Sequence, residues 1–490
     1  METITSPPSI WIKERKRTVN WEQLLSPKRS RGSSQRHPGS SDLRSEFEKD
    51  YHRIIGSASF RRLQDKTQVF PLDKSDFIRT RLTHSLEVSS LAKSLGQNIG
   101  ENILTYKKDP SFTPQMKEDI CSILQCAGLI HDIGNPPFGH FGEVAIREWF
   151  ERNLPRLTFR GRPVEQVLTE RMKQDFYHFE GNAQAFRLVT KLHFLVDENG
   201  MNLTYALLNT IVKYPVSSLG IDGSCGDIKK KKIGYYLADE ELFRRVERET
   251  GTNGGRHPLT FSLEAADDIA YKTADIEDAF VKGFISYHVL MEELKKLKNI
   301  QNNDKVIFDP AGKLEELYRR GVEKGVDHPE EYAVKNWIVR VQGFLISCAT
   351  FGFTSNYEAI MEGSYPADLF HGTFAEELME LLGDVAMRRV FSTRQIYLME
   401  LVEAGILDYL MDSFVRAVIY YDEDDSALDS IDRRLVYFIS SNYKDAYHYH
   451  ARGKSEAERL YLRLLLVTDF ICGMTDSYAK RLYQELKAIL

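Results

Sequence analysis

The sequence has little cysteine, no internal repeats and no excess of positive charge, and these absences argue against particular classes of protein. Its five cysteines are odd in number and form no CxxC pair, which argues against a zinc-thiolate site and for a reducing compartment. The formal net charge is −6, so any contact with nucleic acid or polyphosphate would depend on local basic patches. Neither a signal peptide nor an apolar run long enough to span a bilayer is evident. We therefore expect a cytoplasmic protein without membrane association.

Composition and periodicity predict three regions. Residues 1–45 are polar, basic and rich in serine and proline, which is typical of a flexible arm; contact with a neighbouring subunit or with nucleic acid is the alternative. Residues 46–290 carry the polar motifs described below and are predicted to form the core around them. Residues 291–490 are predicted to be helical almost throughout and to provide packing and oligomer contacts.

The most informative stretch is GLIHDIGNPPFGHFGE at residues 128–143. An apolar stripe with a spacing of three and four residues leads into it and places His131 on the inward face of a helix. Asp132 follows, and a glycine and two prolines end the helix, so the His-Asp pair can converge on one point. After the break, His140 and Glu143 lie three residues apart on one face of a new helix. The alternative interpretation of His131 and Asp132 is a simple salt-linked pair or a helix C-cap.

A second inward histidine precedes this stretch. A β-hairpin is predicted near residues 67–81, where two short β-type runs flank a turn that contains proline. A helix is then predicted to begin with Thr83 as its N-cap, and His84 falls on its apolar face. A lone histidine of this kind is usually a satisfied core residue, but two inward histidines make a metal site a competitive interpretation.

A third polar group lies on the helix predicted over residues 261–280, FSLEAADDIAYKTADIEDAF. Asp267, Tyr271 and Asp275 are spaced by four residues and form one line along this helix, which Leu263 shares. Buried polar groups need partners, and a metal and a hydroxylated ligand would supply them. The alternative is an acidic helix whose carboxylates merely suit the helix dipole.

Together, four inward groups from three helices offer nitrogen and oxygen ligands to a metal such as Mn²⁺, Fe²⁺, Zn²⁺ or, less comfortably, Mg²⁺. They are His84, His131, Asp132 and Asp267. Such a metal lowers the pKa of bound water and polarises a phosphoryl oxygen. Arg81 and Lys213 are placed to bind phosphate. His140 and His178 are candidate acid and base, with Glu143 orienting one of them. The residues therefore predict a metal-dependent phosphohydrolase and do not name its substrate.

Two further features bear on phosphate binding. Lys213 and Tyr214 end a helix predicted over residues 203–214, which Pro215 stops. Four consecutive lysines at residues 229–232 lie in a glycine-rich loop. Such runs are usually solvated, and contact with phosphate or nucleic acid is the alternative.

Five motifs in this order resemble the bacterial deoxyguanosine triphosphate triphosphohydrolases of the HD superfamily. They are RTRLTH (residues 79–84), GLIHDIGNPPFGHFGE (128–143), HFEGNAQ (178–184), IVKYP (211–215) and EAADDIAYKTADIEDA (264–279). Weaker similarity, such as GMTD near residue 473, extends towards the C-terminus. The resemblance implies an all-α HD-domain fold and an enzyme that splits a deoxynucleoside triphosphate into the deoxynucleoside and intact triphosphate.

The resemblance also implies roles for individual residues. The matches to the ligands of one divalent metal per active site, Mn²⁺ or Mg²⁺ with Fe²⁺ or Zn²⁺ as alternatives, are His84, His131, Asp132 and Asp267. His140 matches the catalytic histidine, with Glu143 and His178 as its supporting pair. The substrate-binding matches are Gln68 and Asp275 at the sugar 3′-hydroxyl, Tyr271 at C2′, and Arg81, Lys213 and Tyr214 at the phosphates.

The implied reaction is hydrolysis of dGTP to deoxyguanosine and triphosphate, with attack of water on the α-phosphorus and proton transfer assisted by His140. A dNTPase of broad specificity, which a nucleotide activates in some relatives, is the first alternative. Another HD phosphohydrolase, or a non-catalytic sensor of dNTPs or single-stranded DNA, is the second. The resemblance further implies a homo-hexamer or homo-tetramer, and a nucleotide or single-stranded DNA as effector.

Overall fold

The computed structural model describes residues 19–32, 42–68, 79–193, 196–297 and 308–488. Its α-helices are α1 (Trp21–Leu24), α2 (Glu46–Ile55), α3 (Ala58–Arg62), α4 (Arg81–Asn102), α5 (Pro114–Ile130), α6 (Gly139–Asn153), α7 (Val164–Val167), α8 (Glu170–Tyr177), α9 (Gly181–Arg187), α10 (Tyr205–Thr210), α11 (Glu240–Thr250), α12 (Pro258–Val281), α13 (Tyr287–Leu294), α14 (Pro310–Glu323), α15 (Pro329–Ser355), α16 (Tyr357–Met361), α17 (Glu376–Ala386), α18 (Arg394–Val418), α19 (Ser430–Phe438), α20 (Ser441–Ala451), α21 (Glu456–Cys472) and α22 (Asp476–Leu486). The named strands of the described ranges, β1 (Thr158–Phe159) and β2 (Arg162–Pro163), pair antiparallel. The predicted all-α fold is confirmed.

The hairpin predicted near residues 67–81 is described only at its base. Thr67 and Thr80 form an antiparallel bridge, and residues 69–78 lie outside the described ranges. The predicted start of α4 at Thr83 is wrong, because Thr80 is the N-cap and Thr83 completes a capping box with it. Both threonines suit the pattern, so sequence alone did not decide between them. The earlier start puts Arg81 in the first turn, three residues before His84.

Helices α4, α5 and α12 pack against one another and carry the predicted metal ligands. Gly128 allows α5 to approach α4, since a Cβ at this position would lie 2.5 Å from the Cα of Ser89. Because Gly128 comes three residues before His131, the close approach lies within one turn of that histidine. The packing of two helices thus depends on one glycine next to the predicted site.

Helix α15 packs on α4 and α12 and forms part of the core. By length and composition it is the one helix of the described ranges that could cross a membrane, and 44% of its most apolar 18-residue window is buried inside the protein. No apolar run long enough to span a bilayer is predicted from the sequence, and this helix meets the criteria by length and composition only. Its Trp337, Val341 and Leu345 are fully buried against neighbouring helices, as in a core helix of a soluble protein.

The described part of the N-terminal arm packs on the rest of the chain. Trp21 is fully buried and donates from Nε1 to the Tyr357 hydroxyl at 2.7 Å. The buried guanidinium of Arg29 lies 2.5 Å from Asp50. Residues 1–18 and 33–41, which include Trp11, lie outside the described ranges. The division of the chain at residues 45 and 290 stays a prediction.

Candidate active site

The predicted metal ligands converge where α4, α5 and α12 meet. His84, His131 and Asp132 each offer one ligand atom, and these atoms lie within 4.8 Å of one another. Asp267 faces the same point, since its Oδ1 lies 3.3 Å from the Nε2 atoms of both histidines. The structure therefore brings together the four residues that the sequence patterns placed on inward faces.

The protonation of His131 suits a metal ligand. Its Nδ1 lies 2.8 Å from the Gly128 carbonyl, and a carbonyl can only accept, so Nδ1 carries the proton. Nε2 is buried and has no hydrogen-bond partner among the described residues. Nε2 is thus the ring atom that can bind a cation once it carries no proton, and two imidazoles with two carboxylates fit a divalent metal.

Two cations balance the carboxylates of the cluster. Arg81 contacts Asp132, and the Lys213 Nζ lies 2.7 Å from the Asp267 Oδ2. Burial alone would raise the pKa of Asp132, but the charges of His131 and Arg81 lower it to about 2. Burial also opposes ionisation of Asp267, yet Lys213 and His131 hold its pKa well below the usual range. Both carboxylates are therefore ionised at neutral pH.

His140 and Glu143 form a hydrogen-bonded pair in the first turn of α6. The His140 Nδ1 lies 2.7 Å from one oxygen of Glu143, whose other oxygen accepts from the Gly181 amide at 2.7 Å. Burial would raise the pKa of Glu143, but the bond to His140 and the charge of Lys232 hold it below its usual range. The His140 side chain is 71% exposed. An ionised, buried Glu143 thus orients an accessible imidazole and leaves its Nε2 to exchange protons.

The structure does not bring His178 to this pair. It is the C-cap of α8, it is not among the described residues that line the cavity below, and burial lowers its pKa. Glu180 lines that cavity instead. It is buried, and its Oε1 accepts a hydrogen bond from the Lys232 Nζ at 2.9 Å. Burial and the charge of Glu143 raise the pKa of Glu180. The catalytic role of His178 stays a prediction, which no contact with His140 or Glu143 supports among the described residues.

A cavity of about 570 Å³ connects these groups. The predicted residues that line it are Gln68, Arg81, Asp132, His140, Glu143, Lys213, Tyr214, Asp267 and Tyr271. Helix α10 ends at Thr210, earlier than predicted, so Lys213 and Tyr214 reach the cavity from a loop. Lys231 and Lys232 of the four-lysine run also line it. The geometry therefore favours phosphate contact for this part of the run.

A second cavity of about 530 Å³ adjoins the first. The walls that the two cavities share are Gln68, Arg81, His140 and Tyr271. Most of its other walls are apolar, and include Phe138, Val144 and Ile396. Asp275 lines only this second cavity of the two, and burial with the charge of Asp278 raises its pKa to about 8. A ligand can thus place charged groups in one chamber and an apolar ring in the other.

Glu403 is a buried carboxyl in the wall of the second cavity. It is 0% exposed, and neither of its oxygens has a hydrogen-bond partner among the described residues. Burial, followed by the charges of Asp476 and Glu400, raises its pKa to about 8. An unpartnered buried carboxyl is costly unless a ligand supplies donors. Glu403 is therefore a candidate ligand contact.

Residues of the two cavities that were not predicted as site residues include Glu180 and Glu403, and Lys232 was named only as part of a lysine run for which phosphate contact was the alternative. Glu403 carried a signal, because it stands seven residues from both Ile396 and Leu410 on the buried stripe of α18. Glu180 lies inside the motif HFEGNAQ, but adjacent polar positions do not reveal which side chain enters a cavity. Lys232 depends on the path of a loop, which no periodicity predicts.

The chain is similar to known proteins over almost its whole length. The family model described as HD domain matches residues 81–199. A deoxyguanosinetriphosphate triphosphohydrolase-like protein of Listeria innocua is 47% identical over 473 residues, which are 96% of this chain and 100% of that protein. A probable deoxyguanosinetriphosphate triphosphohydrolase of Pseudomonas aeruginosa is 34% identical over 492 residues, and the match covers 92% of this chain and 95% of that protein. A deoxyguanosinetriphosphate triphosphohydrolase of Yersinia enterocolitica is 33% identical over 515 residues, and the match covers 96% of this chain and 99% of that protein.

Proposed function

The chain belongs to the HD-domain family of deoxyguanosinetriphosphate triphosphohydrolases, and on that premise we propose that it hydrolyses dGTP to deoxyguanosine and triphosphate in a metal-dependent reaction. The family and the hydrolase class predicted from the motifs are confirmed. The observation that carries the proposal is the convergence of a His-Asp cluster, a His-Glu pair and several cations on one cavity.

We propose that one divalent metal is held by His84, His131, Asp132 and Asp267. When bound, it would lower the pKa of water and polarise a phosphoryl oxygen. The unpartnered Nε2 of His131 and the two ionised carboxylates support this assignment. The mixed nitrogen and oxygen set suits Mn²⁺, with Mg²⁺, Fe²⁺ and Zn²⁺ as alternatives.

His140 is proposed to move the proton. Water attacks the α-phosphorus, the bond from this phosphorus to the 5′-oxygen breaks, and His140, oriented by Glu143, protonates that oxygen. Arg81, Lys213 and Tyr214 bind the phosphates, and the two cations offset their charge. Because the phosphate chain itself is not cut, triphosphate leaves intact.

The sugar is proposed to lie where the two cavities meet. Tyr271 lines both, so its ring can pack at C2′ and leave a ribose hydroxyl crowded and unpaired. The buried Gln68 Oε1 has no hydrogen-bond partner among the described residues and can accept from the 3′-hydroxyl. Asp275 lines the second cavity and completes the contact to that hydroxyl.

The test of this function is product analysis with each of the four dNTPs and GTP, with Mn²⁺ or Mg²⁺ present. We expect deoxyguanosine and triphosphate from dGTP, and no triphosphate from GTP. Release from all four dNTPs would favour the broad-specificity alternative, and hydrolysis of monophosphates alone would favour another HD phosphohydrolase. No triphosphate from any substrate, with metal bound, would contradict the proposal and favour a sensor.

Glu403 is proposed to select guanine, whose N1–H and 2-amino group form a pair of donors that favours the ionised carboxylate and so offsets the burial that raises its pKa to about 8. Glu403→Gln replaces one acceptor by a donor, which suits adenine. We expect the ratio of kcat/KM for dGTP to that for dATP to fall about 10- to 100-fold, as for loss of a matched polar contact worth about 1–3 kcal/mol. Initial rates of triphosphate release give the ratio.

Glu400→Gln is the matched control for this prediction. Glu400 lies almost one turn earlier on α18 and lines the same cavity, but it is only partly buried and has no unpartnered buried oxygen. We expect the ratio to change less than about 3-fold in this variant. An equal fall in kcat/KM for both substrates in Glu403→Gln, with the ratio unchanged, would show that Glu403 supports the fold and does not select the base.

We also propose self-association as a homo-oligomer, either a hexamer or a tetramer. Support comes from the exposed apolar side chains in the first half of α18, which are Tyr397, Leu398, Leu401 and Val402. A cytoplasmic location and an effector, either a nucleotide or single-stranded DNA, stay predictions from the sequence.

A further inference from the structure

Asp476, the first residue of α22, joins segments that are far apart in the sequence. Its Oδ1 accepts from the Phe138 amide at 2.9 Å, and its Oδ2 accepts from the Thr67 amide at 2.9 Å and from the Thr67 hydroxyl. Asp476 is 2% exposed. His140 follows Phe138 by two residues, and Gln68 follows Thr67 directly. One carboxylate thus holds the two segments that deliver a proposed catalytic residue and a proposed sugar contact.

The turn at Phe138 needs such support. Its φ of 65° and ψ of 16° lie in the left-handed region, which is unfavourable for a residue other than glycine. Gly139 follows with φ +63°, and a Cβ there would lie 2.5 Å from a guanidinium nitrogen of Arg81. This turn starts α6 and sets the direction from which His140 enters the cavity. A strained turn persists only where neighbouring groups hold it, and the bond from the Phe138 amide to Asp476 does so.

A second contact ties the same regions together. The buried Lys66 donates from Nζ to the carbonyls of Asn135, at 2.5 Å, and Cys472, at 2.6 Å. Asn135 lies in the loop before Phe138, and Cys472 ends α21, four residues before Asp476. Two buried charged side chains, Asp476 and Lys66, therefore tie the C-terminal helices to the loop that contains Asn135 and Phe138.

The three donors that meet at Asp476 require a carboxylate. Two amides and a hydroxyl converge on its two oxygens, and an ionised carboxylate has lone pairs for all of them. Its place in the first turn of α22 also suits a negative charge. An asparagine would present only one oxygen and would turn its own amide group towards a donor.

We propose that Asp476 is a positioning residue for the hydrolysis: it fixes the turn at Phe138 and the segment at Thr67, so that His140 and Gln68 meet the same substrate. The inference rests on the function proposed for His140. It gives the C-terminal region, to which the sequence assigned packing and oligomer contacts, a part in the geometry of the active site.

Asp476→Asn tests the inference. We expect kcat for dGTP to fall about 10- to 100-fold, as small displacements of a catalytic group do, while the metal content stays that of the wild type. We also expect hydrogen exchange in the peptide covering Thr67 or in that covering Phe138 to speed up at least about 10-fold, since asparagine keeps an acceptor oxygen for only one of the two amides. Ser477→Ala is the matched control: the hydroxyl of this exposed neighbour bonds Asp65 at 2.9 Å and, within the described part of the chain, neither Thr67 nor Phe138, so both readouts should stay unchanged.

A lower melting temperature with wild-type kcat and wild-type exchange in these peptides would overturn the proposal, because Asp476 would then be structural only. Should Asp476→Asn fail to fold, Thr67→Val carries the test, since it removes the hydroxyl and keeps both amide donors. Its kcat should fall about 3- to 10-fold, and an unchanged kcat would overturn the proposal. Hydrogen exchange does not depend on turnover, so it also separates this inference from a failure of the proposed function.

Discussion

Replacing His140 with alanine is expected to lower kcat for dGTP hydrolysis by about 10²- to 10⁴-fold, the range for loss of a general acid. The imidazole is the accessible half of a hydrogen-bonded pair, and Glu143 fixes its orientation. The metal content should stay that of the wild type, because the ring is not part of the cluster of His84, His131 and Asp132. Triphosphate release at saturating dGTP and elemental analysis of the purified protein give the two quantities.

His178→Ala is the informative comparison for this prediction. His178 is also predicted to be catalytic, but among the described residues it is not part of the cavity lining and makes no hydrogen bond to His140 or Glu143. From the geometry we expect kcat to change less than about 3-fold in this variant, far less than in His140→Ala. If the two variants lose equal activity, His178 belongs to the catalytic group. A near wild-type rate for His140→Ala would remove the proposed acid from the mechanism.

Asp267→Asn is expected to lose the metal and to lower kcat at least about 10³-fold, since the metal contributes several kcal/mol of transition-state stabilisation. The reason is the loss of a negative charge beside the two histidines of the proposed metal site. The Asp267 Oδ1 lies 3.3 Å from the Nε2 atoms of both His84 and His131, and a neutral amide would replace this anion. Metal content and dGTP turnover, measured over a series of Mn²⁺ concentrations, check the prediction.

Asp268→Asn provides a matched control one residue along the same helix. Asp268 points about 100° away round α12, and burial raises the pKa of its carboxyl to about 7, which weakens it as a ligand. This variant should keep its metal at the wild-type level. If Asp268→Asn lost the metal and Asp267→Asn retained it, the assignment of the fourth ligand would have to be exchanged.

The resemblance to a known family implied the all-α fold, and local sequence patterns predicted the four residues that are proposed as metal ligands. The prediction of these residues depends on local patterns, because the apolar spacing of three and four residues shows which face of a helix points inward. His131 and Asp132 lie directly before a helix break, and His140 and Glu143 are three residues apart, so each pair is close in space once its helix forms. Helical periodicity thus predicts which residues lie close together within one element.

Which groups from different elements meet depends on the tertiary packing. It placed Glu180 and not His178 beside Glu143, and it turned Glu403 towards the second cavity. Asp476 reaches Phe138 across 338 positions of sequence. Such contacts depend on how whole helices pack and on the path of loops between them. No repeat of three or four residues encodes that arrangement, because its free energy comes from burial and pairing between elements that are distant in the chain.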